Sequence, residues 1–448
     1  MYDEETVALI RSTPPLSGLD RDRLPELLSE AFAKIAAARM RLRAGTPVDN
    51  DVNALIGEMQ RLALTNEALV ASAPTREDRA AAAFVAGSAH QLCFNARNIR
   101  RDQKTGSYLE ARSISPDISA MLLFLIAEAT ADSSELAAHV SIGDTPVLER
   151  ALIDALRSLA RGELSAITSA SVPNREVIAG TGASAAAMAL YYRLLIGVRS
   201  LASEILRSDD ATPGQAIEIF RAVQNLSLLP EEKGEKVWLR ANLGAFAGPY
   251  HLASLLIAVA GDLAESAVTA ISPPGGVPKD KWLKAMKRVA RARPYLWRNH
   301  RQAIEAGYLE PEISAAVSFP TGAGKSTLAE LKISATLLHE KKVIFLAPTN
   351  ALVGQTTRAL RRSFKGANVG QERFDELGFL GDDEELPQIF VMTPEACLAQ
   401  MSIKPSVFDG VGLLVFDECH LLHAEDENAR RALDAMLCVL NFAALVPE

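Results

Sequence analysis

Residues 319–327 read Phe-Pro-Thr-Gly-Ala-Gly-Lys-Ser-Thr. Glycines let a backbone approach an anion closely. The N–H groups of Gly322 to Ser326 converge where a helix begins, and the helix dipole there favours negative charge. Lys325 can neutralise β and γ phosphate charge, and the Ser326 hydroxyl can ligate Mg2+. The general pattern is Gly-x-x-x-x-Gly-Lys-Ser/Thr. Gly324, Lys325 and Ser326 supply its end, while Phe319 stands in place of the first glycine. A chance turn accounts for a glycine or two. It does not account for strand, loop, lysine, hydroxyl and helix in that order.

A second pattern lies downstream in Leu-Leu-Val-Phe-Asp-Glu-Cys-His, residues 413–420. An aspartate at the end of a parallel strand, here Asp417, can hold Mg2+ through water. The neighbouring Glu418 can polarise a water attacking in line with the γ-phosphate. A strand ending in Asp-Glu is common by itself, and it gains weight beside a phosphate loop.

These residues need a scaffold that brings distant segments together, and the sequence around them alternates as such a scaffold requires. Short apolar runs at 314–319, 343–348, 388–393 and 412–418 predict strands. The segments 325–340 and 350–364 predict helices; in the first, Leu328, Leu331, Ala335 and Leu338 share a side. Buried strands separated by helices imply a parallel sheet with right-handed crossovers.

Upstream the pattern differs. Residues 1 to about 270 read as successive helices rich in alanine. In one, Leu148, Leu152, Ala155 and Leu159 form a stripe, with Thr145-Pro146 as its start and Gly162 as its stop. In another, Thr212 and Gln215 form a capping box, followed by Ala216, Phe220 and Val223. The stripes specify core and no chemistry. The prolines and glycines of residues 271–280 mark a boundary. Between Lys279 and Arg301 stand nine Lys or Arg against one acid, Asp280. Positions 284, 287, 288 and 291 share one helical face, which is either a solvated basic surface or a phosphate-binding one. The division expected is 1–270 helical, 271–305 linker and basic segment, and 306–448 α/β.

Composition sets the outer bounds. With 448 residues, 48% hydrophobic and 23% charged, the chain is ordinary globular protein with room for two or three domains. Four cysteines without paired spacing argue against a disulfide framework or zinc site and suit a reducing compartment. The N-terminus is acidic, and the most apolar stretches are interrupted by charges, so the expectation is a cytoplasmic protein without membrane partners. A net charge of −8 means any nucleic-acid contact is local.

With these motifs in order, residues 320–420 resemble superfamily 2 helicases of the DExH-box type. Pro320–Ser326 is similar to their motif I, Ala347–Gln355 to motif Ia, Met392–Leu398 to motif Ib, and the Asp-Glu-Cys-His of 417–420 to motif II. The large helical region before the core resembles helicase subunits of bacterial anti-phage systems of the Hachiman type. The resemblance implies an α-helical N-terminal domain followed by an α/β RecA-like P-loop domain, the first lobe of a motor. It implies ATP and Mg2+ as cofactors and DNA or RNA as partner. Thr321, Gly322, Ala323, Gly324, Lys325, Ser326 and Thr327 would hold phosphate, Ser326 and Asp417 the metal. Lys325, Asp417, Glu418 and His420 would form the catalytic set, with His420 coupling the nucleotide to a second lobe. Pro348, Thr349, Asn350, Thr393, Pro394 and Glu395 would touch the nucleic-acid backbone. Thr349 and Thr393 equally suit helix N-caps. In the adenine-recognition stretch, where the family often carries a glutamine, this chain has His300, with Gln302 nearby.

Motifs III and VI of the family are not found before Glu448. The resemblance therefore implies a second RecA-like lobe, supplied by a longer native chain or another subunit, and slow hydrolysis by residues 1–448 alone. A different class remains open, a nucleotide-gated helical scaffold that regulates a partner such as a nuclease. A small-molecule kinase is disfavoured by motif Ia and the Asp-Glu-Cys-His box.

Overall fold

The computed structural model describes residues 23–44, 49–73, 75–99, 108–140, 145–174, 183–228, 246–311, 313–319, 324–371, 386–417 and 429–445. The chain divides into two compact units. One holds Met1–Ala270 with Ala290–Tyr295, the other Ile271–Val289 with Leu296–Glu448.

The first unit is helical: α1 Leu24–Arg43, α2 Asp49–Ser72, α3 Arg76–Ile99, α4 Pro116–Ile126, α5 Thr130–His139, α6 Val147–Arg161, α7 Leu164–Ser169, α8 Ala183–Ile205, α9 Gln215–Leu228 and α10 Ala247–Ser266. Helix α4, Pro-Asp-Ile-Ser-Ala-Met-Leu-Leu-Phe-Leu-Ile, is buried along its whole length, as a helix apolar all round must be. In α6 the expected stripe is buried and Gly162 closes the helix in the left-handed region at φ 73°. The cap position is Pro146 rather than Thr145, because the helix starts one residue later than the hydroxyl requires. The start of α9 also differs from expectation. Glu204, from α8, accepts from Gly214 N–H at 3.0 Å and Ala216 N–H at 2.8 Å, so a carboxylate from a neighbouring helix satisfies amides at the start of α9.

Two helical segments, Ser184–Ile205 and Ala247–Ser266, are long and apolar enough to cross a membrane by length and composition, beyond what the interrupted sequence stretches suggested. Half or more of each is buried within the protein. Inside this unit Glu67 of α2 is buried and accepts from Nε2 of His90 (α3) at 2.6 Å and Nε2 of His251 (α10) at 2.8 Å. Burial pushes this carboxyl up, but the two imidazoles outweigh it and hold it well below the usual carboxylate range.

The second unit contains α11 Lys279–Ala290 up to its last residue, α12 Arg298–Glu305, α13 Lys325–Leu338, β1 Lys342–Leu346, α14 Asn350–Ser363, β2 Val369–Gln371, β3 Ile389–Met392, α15 Pro394–Ile403, β4 Val411–Phe416 and α16 Ala429–Leu445. The four strands are parallel in the order β2-β3-β1-β4. Alternation along β1 and β3 splits the core in two. Val343, Phe345, Ile389 and Val391 pack with Ile333 of α13 and with Val353 and Leu360 of α14. Ile344, Leu346, Phe390 and Met392 pack with Cys397 and Met401 of α15 and Cys438 of α16. Helices thus cover both faces, as a parallel sheet requires.

The expected strand at 314–319 is not in the sheet. Residues 313–319 form no strand, and Ser314, Ala315, Ala316 and Ser318 are exposed. Only Val317 and Phe319 are large enough to gain much from burial, so the run brings too little apolar surface to hold a place there.

Candidate nucleotide and nucleic-acid site

Parallel register assembles one edge of the sheet. Leu346 of β1 lies opposite Met392 of β3 and Phe416 of β4. The next residues, Ala347, Thr393 and Asp417, therefore form a row across the carboxyl ends of three adjacent strands. Backbone bonds fix it: Ala347 N–H donates to Met392 O at 3.0 Å, and Asp417 N–H to Leu346 O at 3.2 Å. Ligands of open parallel sheets gather outside this edge.

Helix α13 brings the phosphate-loop residues back toward it. The helix ends at Leu338, shortly before β1 starts, and packs against β1 and β4. It must run antiparallel to them, which returns its N-terminus to the carboxyl edge. Lys325 and Ser326 lie exposed in its first turn, Thr327 is buried, and Thr327 N–H donates to Gly324 O at 2.9 Å. Asp417 is exposed at the end of β4. Helix N-terminal amides, an ammonium, a hydroxyl and a carboxylate on one edge are the groups a metal–phosphate ligand requires. Thr321, Gly322, Ala323, Glu418 and His420 lie outside the described residues.

The motif Ia and Ib residues follow the same row. Thr349 and Thr393 are the N-caps of α14 and α15; their hydroxyls accept from Leu352 N–H and Ala396 N–H, each at 3.3 Å. The capping role open in the sequence is thus present. It does not use up the Thr349 side chain, which is exposed and whose hydroxyl keeps its proton to donate. Pro348 is half-buried and Asn350 exposed; Pro394 is buried in the first turn of α15 and Glu395 is half-buried beside it.

His300 sits against the loop. Trp297 is the N-cap of α12, and its N–H donates to His300 Nδ1 at 3.2 Å. That bond fixes the tautomer: Nδ1 is the bare nitrogen, so Nε2 carries the proton and donates to Gly324 O at 3.1 Å. The imidazole is buried, stacked on Trp297 with centroids 5.4 Å apart and planes 8° apart, and the Phe319 ring lies tilted at 45° to it with centroids 6.4 Å apart. Gly324 has φ 82°, and a Cβ there would lie 2.4 Å from His300 Nε2. His300 therefore braces the end of the phosphate loop, and an adenine contact from its ring edge would have to displace one of these two bonds. Gln302 is exposed on α12.

Two contributors were not read from the sequence. Trp297, three residues before His300 at a helix start, carries a legible signal, an aromatic at a cap with a polar N3 residue. Lys332, on α13, does not. Its ammonium donates to the carbonyls of Glu310 and Ile313 (3.3 Å for the latter) and lies 5.8 Å from the centre of the Tyr308 ring, pinning the segment that leads into the loop. Burial pushes its pKa down from the ordinary lysine value.

Fold and edge together define a four-stranded parallel sheet with helices on both faces and the motif residues gathered at its carboxyl edge. Residues 297–444, within the second unit, match the model of the DEAD/DEAH box helicase family. The chain is 30% identical over 124 residues to the DExH-box ATP-dependent RNA helicase DExH10 of Arabidopsis thaliana, covering 27% of this chain and 12% of that protein. It is 26% identical over 171 residues to the ATP-dependent DNA helicase Hel308 of Methanocaldococcus jannaschii, covering 36% of this chain and 14% of that one. It is 29% identical over 125 residues to the exosome RNA helicase MTR4 of Homo sapiens, covering 27% and 11%. The chain thus spans about a tenth of the length of the curated relatives it matches.

Proposed function

We propose that this chain is the nucleotide-binding part of an ATP-dependent helicase or translocase acting on DNA or RNA. The observation that carries the proposal is the single row of Ala347, Thr393 and Asp417, with the helix bearing Lys325 and Ser326 returning to the same edge. In this reading the loop amides and Lys325 hold the phosphates of ATP. Ser326 and Asp417 hold Mg2+, Glu418 orients the attacking water, and His420 passes the state of the nucleotide onward. Thr349, Asn350, Thr393 and Glu395, with Pro348 and Pro394 shaping their loops, face a nucleic-acid backbone, which carries no base sequence. Neither DNA nor RNA is favoured, since the relatives named include helicases for each.

A second RecA-like lobe, from the native chain or another subunit, completes the cleft and supplies arginine fingers worth on the order of 10³ to 10⁵ in rate. The narrower reading, a cytoplasmic anti-phage subunit with a nuclease as candidate partner, rests on the resemblance of a large helical region followed by an Asp-Glu-Cys-His core to such subunits. The test is phosphate release by the chain with and without the second lobe and with and without a single strand. Strand-stimulated hydrolysis that Glu418→Gln abolishes supports a motor. Nucleotide binding that no strand or lobe converts into turnover refutes the motor and favours the regulatory scaffold.

A further inference from the structure

Helix α11 carries charge that its own fold does not explain. Its inner face is set by Trp282 and Met286, both buried, and Trp282 Nε1–H donates to Ile271 O at 2.9 Å. Lys281, Lys284 and Arg288 are exposed on the opposite side, at spacings of three and four residues. They form one stripe about 10 Å long at the helical rise. Lys287, which the sequence placed on this face, is half-buried, and Arg291 lies past the helix in the first unit, so the exposed stripe differs from the expected one by Lys281.

The stripe is locally unfavourable. Lys281–Lys284, Lys284–Lys287 and Lys284–Arg288 are like-charge pairs three or four residues apart, an arrangement that weakens a helix. Only Asp280, four residues before Lys284, opposes them. Other surface cations are handled differently: Arg23, Lys34 and Arg157 pair with Glu26, Glu30 and Asp154 one turn away. Among the described residues no carboxylate forms an ion pair with Lys281, Lys284 or Arg288. In a chain of net charge −8, three exposed cations in a row on a packed helix suit an external polyanion.

We infer that Lys281, Lys284 and Arg288 form a nucleic-acid contact separate from the motif Ia and Ib loops, gripping the phosphates of a single strand without reading its bases. The inference rests on the second unit's proposed action on nucleic acid. A membrane surface is the poorer fit, because an interfacial helix must offer its apolar face to lipid, and that face of α11 is buried.

The test is fluorescence anisotropy of labelled dT20 and U20 with the full chain at stepped KCl, comparing wild type with Lys281→Gln/Lys284→Gln/Arg288→Gln. Glutamine suits a helix and removes the like-charge pairs, so folding is not at risk. Loss of three phosphate contacts should flatten the slope of log K against log salt by about 2. That corresponds to roughly 100-fold weaker binding at 0.1 M salt, equal for the two oligonucleotides. Mg-nucleotide affinity should not change. An unchanged slope overturns the inference, as does a wild-type chain that binds neither strand, or one that binds phosphatidylserine vesicles instead. Failure of the helicase proposal is read separately, as a slope that responds to the substitutions in a protein whose hydrolysis no strand stimulates.

Discussion

Gly324 and His300 allow a quantitative test of how the phosphate loop is held. Alanine at 324 must accept φ 82°, which costs an L-residue about 1–2 kcal/mol. Its Cβ would also stand 2.4 Å from His300 Nε2 and must push that ring away. The displaced imidazole loses its bond to the Gly324 carbonyl, about 1 kcal/mol more. Gly324→Ala should therefore weaken Mg-ADP binding by about 3 kcal/mol, roughly 100-fold, if the loop must hold this geometry to bind. His300→Ala removes the bond to the Gly324 carbonyl, along with the ring's contacts to Trp297, but leaves the loop's own φ unstrained, and should cost nucleotide binding about 1 kcal/mol. Combined, the two should be less harmful than their sum by about 1 kcal/mol, because the smaller side chain removes the clash and the same bond cannot be lost twice. Calorimetric titration of the four proteins measures this. Strict additivity, or wild-type affinity in Gly324→Ala, would refute the brace.

Three further outcomes follow from the same structure. Glu418→Gln should slow strand-stimulated phosphate release by about 10²–10⁴ while leaving the nucleotide Kd unchanged, since it removes a base and no phosphate contact; equal loss of both would misassign the residue. The Glu67 carboxyl, held below its unfolded value near 4.5, contributes stability that is present above that pH and lost as pH falls toward the folded value. Thermal unfolding followed by circular dichroism should thus show the helical unit weakening below about pH 4.5, and Glu67→Gln should cost about 3 kcal/mol at pH 7 and flatten that acid limb. Gly248→Ala should destabilise the same unit by about 1–3 kcal/mol, because a Cβ there would lie 2.1 Å from Glu110 O and 2.5 Å from the Tyr191 hydroxyl; an unshifted melting curve would show that α10 tolerates displacement.

What could be read in the sequence follows physical lines. The strands at 342–346, 389–392 and 411–416 and the helices at 325–338 and 350–363 were legible because short continuous apolar runs and helical stripes are local patterns. The short edge strand Val369–Gln371 was not, since three residues carry no period. The run at 314–319 showed the opposite error: an apolar segment was visible, but a strand exists only beside a partner, and pairing is not written in the segment itself. Site placement had the same limit. The motif residues stood out by type and order, but their common row depends on the register of Leu346 with Met392 and Phe416. The part played by His300 depends on two bonds to the backbone of Trp297 and Gly324, groups with no side-chain signature.

The most direct test of the nucleotide site is calorimetric titration of the full chain with Mg-ADP, for wild type and Lys325→Ala. Saturable one-to-one binding by wild type, weakened at least about tenfold by loss of a charge-assisted phosphate contact, is the predicted result. No binding by wild type, or equal affinity in the two proteins, would contradict the assignment of Lys325 and its helix to a phosphate cradle.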